Sequence, residues 1–182
     1  LNATADDLVG FAVMGAAYAG VISDNKAAKV ALLSNGTEPN KGTAAIIEAH
    51  ARLSAMEGIT FAGNIEGLDI PRGTVDVVVC DGFLGNVVLK MLEGVGEVVT
   101  DLAKDAYARK FLWRLGLTML SEGLRQLRTM TDWKQYGGAP VLGFDHLVIK
   151  AHGRSNPRAI RNAIRVASKA VRGNLTQEIL RG

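Results

Sequence analysis

A single cysteine, Cys80, stands in the 182 residues, so no disulfide closes within the chain and no multi-cysteine metal site is available. There are three histidines, none paired at ligand spacing, which argues against zinc. Aromatic residues are scarce, at 5%, whereas glycine is plentiful, at 21 residues. That balance suits close-packed helices and glycine turns better than a β-sandwich. No apolar run reaches the about 20 residues of a membrane-spanning helix, and no signal-peptide pattern opens the chain. A net charge of +3 is too mild to imply nucleic acid. Three glycine signatures are missing as well. No GxGxxG follows a strand, no GxxxxGK[ST] occurs, and no GxSxG occurs, which argues against a dinucleotide fingerprint, a P-loop and a hydrolase elbow. No cofactor and no metal are expected.

What is present is a core. Apolar residues make up 48% of the chain, enough for one domain over 1–182. Thr4-Ala5-Asp6-Asp7 has capping-box character and predicts a helix over 5–22. A second helix is expected over 41–57, with Ile46, Ile47, His50 and Leu53 on its apolar face and Glu48 paired with Arg52. A long helix over 87–109 and a stretch over 111–130, interrupted near Gly116, follow as a protruding hairpin over about 87–133. Asn156-Pro157 opens a last helix running to about Leu180. Between them, 29–36, 59–67, 75–82 and 147–153 are short apolar runs without alternation, and 136–144 reads as a glycine-rich loop. Strands of that kind alternating with helices predict an α/β fold: a mostly parallel, Rossmann-like sheet with helices on both faces. The chain begins at Leu1 and goes straight into a helix signal, so it is expected to be a piece of a longer protein.

Ligands of open parallel sheets bind at the carboxyl ends of the strands. All four expected strand ends are small and polar: Ser34-Asn35-Gly36, Gly63-Asn64-Ile65-Glu66-Gly67, Asp81-Gly82 and His152-Gly153. Gly82 and Gly85 let backbone amides approach an anion at the start of the following helix. Asp81 and Asn86 would add orientation and a neutral donor. The plainer alternative is steric, because strand-glycine-helix turns occur throughout doubly wound folds. Cys80 lies within an apolar run, with no basic neighbour in sequence to activate it, and reads as packing rather than as a nucleophile.

Four stretches together, DVVVCDGFLGNVVLKMLEGV, EPNKGT, ITFAGNIEGLDI and YGGAPVLGFDHLVIKAHGRSN, resemble the bacterial phosphate acyltransferases of phospholipid synthesis. The resemblance runs over essentially the whole chain, in order. It departs at Thr37, where the family often has a second acidic residue, and at Arg154, where it often has a small one. It implies an isocitrate/isopropylmalate-dehydrogenase-like fold, with this chain as the carboxyl-terminal portion of a longer one. It also implies a reaction: an acyl group passes from acyl-carrier-protein to inorganic phosphate, giving acyl phosphate and free carrier thiol. Lys41 and Asn86 match the catalytic positions, and Asn64, Asp81, Gly82, Gly85 and His152 would line the substrate site. Without the resemblance, Lys41 reads as a solvated helix-start lysine, Asn86 as a helix cap, and His152 equally as a buried structural histidine. A short-chain phosphotransacylase acting on acyl-coenzyme A would share the fold and chemistry. A non-catalytic dimerisation or membrane-docking half is the alternative from another class.

Two surfaces invite partners. Residues 109–130 mix Trp113, Leu115 and Leu117, the tip candidates, with Arg109, Lys110, Arg114, Arg125 and Arg128, a pattern used by interfacial membrane helices. Packing in a homodimer or against the core is the other explanation, and the resemblance implies both a dimer and a membrane-touching tip. The expected location is therefore cytoplasmic, peripherally associated with the inner face of the cell membrane. Residues 150–172 hold Lys150, Arg154, Arg158, Arg161, Arg165, Lys169 and Arg172 and no acidic residue. That stripe would steer an acidic carrier protein, although a plain solvated face is the commonest explanation of such a stripe. No aromatic interleaving supports nucleic acid.

Overall fold

The computed structural model describes residues 2–109, 111–120, 123, 138–153 and 155–181. Helix α1, Ala5–Ile22, starts at the predicted capping box. The Thr4 hydroxyl accepts from the Asp7 amide at 3.2 Å, and the Asp7 carboxylate accepts from the Thr4 amide at 2.8 Å. Strand β1, Lys29–Leu33, lies between β2, Thr60–Ile65, and β3, Val77–Val79, both parallel to it. Every residue from Val30 to Leu33 is buried, so both faces of β1 are covered. This is why the run is apolar without alternation. Helix α2, Ala44–Ser54, carries the chain from β1 to β2, and the single turn α3, Asp69–Arg72, precedes β3.

The core joins Leu8, Val9 and Ala12 of α1, Val30 and Leu32 of β1, Ala49 and Leu53 of α2, and Val79 of β3. The second helix is shorter than the expected 41–57. Thr43 caps it by accepting from the Ile46 amide, and Gly42 sits at φ +104, outside helical space. Lys41 therefore lies in the turn before the helix. Ala49 is buried and Ile47 exposed, so the apolar face is rotated from the one expected.

By length and composition α1 could cross a membrane, but here it is a core helix packed on two sides. A Cβ on Gly15 would lie 2.6 Å from Val77 Cγ1 of β3, and one on Gly173 would lie 2.5 Å from Val21 Cγ1. The first of these approaches explains Gly15. The second side is formed by α6, Pro157–Arg172, and α7, Leu175–Arg181. Asn156 caps α6 as expected, accepting from the Ala159 amide at 2.9 Å. The expected single helix to 180 is instead broken at Gly173, the cap that ends α6, and at Asn174, with φ 51.

Two further corrections concern the strands and the hairpin. The segment over 147–153 supplies β5, Val148–Lys150, which does not join the parallel sheet. It pairs antiparallel with β4, Ala139–Val141, from the stretch expected to be only a loop. Gly138, just before β4, lies close against Ile149 of β5 and Ala163 of α6, where a Cβ would stand 2.8 and 3.2 Å from them. Helix α4 runs over Gly82–Arg109, five residues earlier than expected, because Asp81 rather than Asn86 caps it. Helix α5, Phe111–Met119, passes through Gly116 without a break. The rest of the expected hairpin, with Arg125 and Arg128, lies outside the described residues, as do Lys110 and Arg154.

Candidate functional site

The register places Leu33 beside Ile65 and Leu32 beside Val79. The carboxyl ends of the three parallel strands therefore share one edge. Each sends a different segment there: the 34–43 loop from β1, Asn64 to Glu66 from β2, and Cys80 to Asn86 from β3.

The 34–43 loop is closely determined. The Ser34 amide donates to the Ile65 carbonyl at 2.9 Å, prolonging the β1–β2 ladder by one bond. Glu38-Pro39-Asn40-Lys41 then closes a turn, with the Lys41 amide donating to the Glu38 carbonyl at 3.1 Å and proline in the second position, where its fixed φ suits the turn. Gly36 is buried, and a Cβ on it would meet Lys41 Cγ at 2.8 Å and Glu38 Oε2 at 2.9 Å. The lysine stem thus lies against a position that only glycine leaves open. Gly42 and the Thr43 cap fix the exit into α2. Lys41 itself is exposed.

Asn64 is 5% exposed and is the one buried polar side chain among the described residues. Its Nδ2 donates to the Glu38 carbonyl at 2.9 Å, and its Oδ1 faces His50 Nδ1 at 3.1 Å. A carbonyl can only accept, which orients the amide, so His50 Nδ1 carries the hydrogen and donates. The His50 ring packs edge-on against Phe61, with centroids 5.2 Å apart. Asn64, expected to touch substrate, is engaged at both ends of its amide by the protein.

At the third strand end, Asp81 is the cap of α4. Its Oδ1 accepts from the Leu84 amide at 2.8 Å, and its carbonyl accepts from the Gly85 amide at 2.9 Å. The Gly85 amide is thereby taken, and the residue sits tightly against the strand end: a Cβ would stand 3.2 Å from Cys80 Sγ. The amides of Gly82 and Phe83 remain at the open helix start. Asn86 is exposed, a turn into α4. Burial pushes the Cys80 thiol pKa up, and the neighbouring Asp81 carboxylate adds to that rise. A thiol held protonated is a poor nucleophile.

The structure thus brings Lys41, Asn64, Asp81, Gly82, Gly85 and Asn86 to one sheet edge. His152 is exposed and follows β5, so it belongs to the separate ribbon, where its carbonyl accepts from the Ser155 amide. Trp113 and Leu115 are exposed on α5 and Leu117 is half-buried. Sequence reasoning missed Glu38, Thr43 and His50. The proline turn signalled the first, but His50 looked like one more residue of an apolar helix face. Among the described residues no three His, Cys, Asp or Glu side chains gather where they could hold a metal ion.

Comparison with known proteins adds independent information. A family model described as "Fatty acid synthesis protein" matches residues 1–178. A phosphate acyltransferase of Campylobacter lari is 44% identical over 98% of this chain and 54% of its own length. One of Thermotoga petrophila is 45% identical over 97% and 53%, and one of Helicobacter pylori is 45% identical over 94% and 50%. The chain spans about half the length of the curated relatives it matches.

Proposed function

The chain belongs to the fatty acid synthesis protein family, and from that premise we propose that it is the carboxyl-terminal part of an acyltransferase that moves a fatty acyl group from acyl-carrier-protein to inorganic phosphate. A phosphate oxygen attacks the thioester carbonyl, the C–S bond breaks, and the carrier thiolate leaves and takes a proton. The products are acyl phosphate and free carrier thiol. Phosphate is already an anionic nucleophile and needs positioning more than deprotonation. Lys41 supplies a cation, and Asn86 a neutral donor for the developing oxyanion. The observation that carries this reading is their delivery to one sheet edge from adjacent paired strands, β1 and β3. Asp81 then acts by capping α4, with the amides of Gly82 and Phe83 left to face the anion. The raised Cys80 pKa supports direct transfer without an acyl-enzyme.

Partners follow from the surfaces. Helix α6 bears Arg158, Arg161, Arg165 and Arg172, exposed on one face, while Lys169 of the same helix pairs with Asp24 at 2.7 Å. This face suits an acidic carrier protein. The apolar face of α4 suits a second copy. The exposed Leu112, Trp113, Leu115 and Met119 of α5 suit peripheral contact with the inner face of the cell membrane. The unburied α4 also supports the second reading, a half that serves dimerisation or docking without turnover.

The test is phosphate-dependent thiol release from a long-chain acyl-carrier-protein, measured with the chain alone and with the chain preceded by the amino-terminal half of a curated relative. Lys41→Ala and Asn86→Ala are each expected to lower kcat by about 10²–10³. An extended wild-type protein with no release above background sinks the acyltransfer reading. Equal rates with acyl-coenzyme A and carrier substrate would favour the coenzyme A alternative.

A further inference from the structure

We infer that Asn64 is a positioning residue for Lys41, locked in that role by His50, and not a substrate ligand. The inference deepens the acyltransferase reading and rests on it for the part Lys41 plays. Four observations lead to it.

The first is a bulge in β2. Val30 of β1 faces Phe61 while Leu32 faces Asn64, so β2 holds one residue more than its partner. Gly63 sits at φ +88 in that bulge, a conformation glycine adopts without strain. Bulges re-aim the side chains beside them, and this one delivers Asn64 into the buried space beneath the 34–43 loop. Second, His50 lies against the bulge. A Cβ on Gly63 would stand 3.7 Å from His50 Cε1, an ordinary contact, so glycine serves the backbone angle there and not the space. Third, the Glu38 carbonyl can only accept, so it takes Asn64 Nδ2 and turns Oδ1 toward His50 Nδ1, which holds the far end of the amide. Fourth, that carbonyl is the acceptor that also closes the turn through the Lys41 amide. One oxygen therefore receives two donors, Asn64 Nδ2 at 2.9 Å and Lys41 N at 3.1 Å. The Lys41 backbone is fixed from beneath by a buried amide on a different strand.

A buried asparagine with both amide ends engaged holds one geometry, because any rotation leaves a buried donor or acceptor without a partner. Misplacing a catalytic group by about 1 Å costs on the order of 10²-fold in rate. The device therefore bears on kcat, through Lys41, and not on carrier recognition.

The experiment compares Asn64→Ala, Lys41→Ala and the double variant in the extended protein, alongside amide hydrogen exchange of the chain. Asn64→Ala is expected to lower kcat about ten- to a hundred-fold while KM for the carrier substrate stays within about twofold. In a Lys41→Ala background the same change is expected to cost nothing further, the non-additivity of residues that act through one another. Exchange of the Lys41 amide is expected to accelerate at least about tenfold relative to the Leu32 amide of the core. Losses that simply multiply in the double variant, or an unchanged Lys41 amide, overturn the inference. Should Asn64→Ala fail to fold, Asn64→Asp carries the same test, since it keeps the acceptor for His50 and removes the donor to Glu38. The two proposals fail separately. Lys41→Ala with full activity refutes the role of Lys41, whereas the exchange measurement reads the Asn64 lock whether or not the protein turns over.

Discussion

Cys80 is a chemically capable side chain placed where its chemistry is suppressed. It follows β3, half-buried, with its sulfur 3.2 Å from where a Cβ on Gly85 of α4 would stand. Its pKa is raised by burial first and by the Asp81 carboxylate second. Iodoacetamide is therefore expected to alkylate it more slowly at pH 8 than it alkylates a free thiol such as glutathione. Asp81→Asn keeps a capping oxygen for the Leu84 amide and removes the charge, so it should quicken alkylation only modestly, because the larger cause remains. Labelling rates followed by mass spectrometry check both. A Cys80 that reacts faster than the free thiol would reopen the acyl-enzyme route. Cys80 as packing was legible from its apolar neighbours. The lock around Asn64 was not, because Glu38, His50 and Asn64 lie on a loop, a helix and a strand, and only the bulge at Gly63 sets them together.

Among the elements, α1 shows how packing on two faces selects composition. Its glycines are no help to an isolated helix, since glycine costs about 1 kcal/mol against alanine in a helix interior. Gly15→Ala should for that reason stabilise an isolated peptide. In the protein the added methyl would meet Val77 at 2.6 Å, and overpacking of that kind costs about 1–3 kcal/mol. The substitution is thus expected to destabilise the protein in urea unfolding, and Val77→Ala in the same chain to recover part of the loss. If Gly15→Ala alone stabilises, the close approach of α1 to β3 is wrong. Helix starts were legible at the Thr4 and Asn156 caps, whereas the Thr43 cap of α2 was missed. The start of α4 was misplaced because Asn86 and Asp81 are both good caps, and only the position of the β3 end chose between them.

For the molecule as a whole, the long α4 is the feature that most needs a partner. Phe83, Val87, Met91, Val95, Val98 and Leu102 recur at intervals of three and four and are all exposed, and α4 has no buried residue. A stripe of that length suits a second copy. Met91→Glu with Val95→Glu is expected to convert a dimer into a monomer in sedimentation, while leaving binding to anionic lipid vesicles largely in place. Leu112→Glu with Leu115→Glu on α5 should do the reverse. A wild-type chain that sediments as a monomer at every concentration removes the dimer from the proposal.

Local chemistry settled much of this protein in advance. Capping boxes, a proline at a helix start and apolar runs without alternation are governed by neighbours in the chain, so the α/β class, α1, α6 and the three parallel strands could be read directly. That three of the four expected strand ends share one edge could be read too, because carboxyl ends of adjacent parallel strands lie together; His152-Gly153 does not join them. Tertiary structure alone decided what depends on contacts between distant segments. It paired the 147–153 run with 139–141 outside the main sheet, broke the last helix at Gly173 and Asn174, and turned Asn64 inward to hold the Lys41 turn. Sequence periodicity reports which residues are buried, whereas the partner each one is buried against is fixed only when the chain has closed on itself.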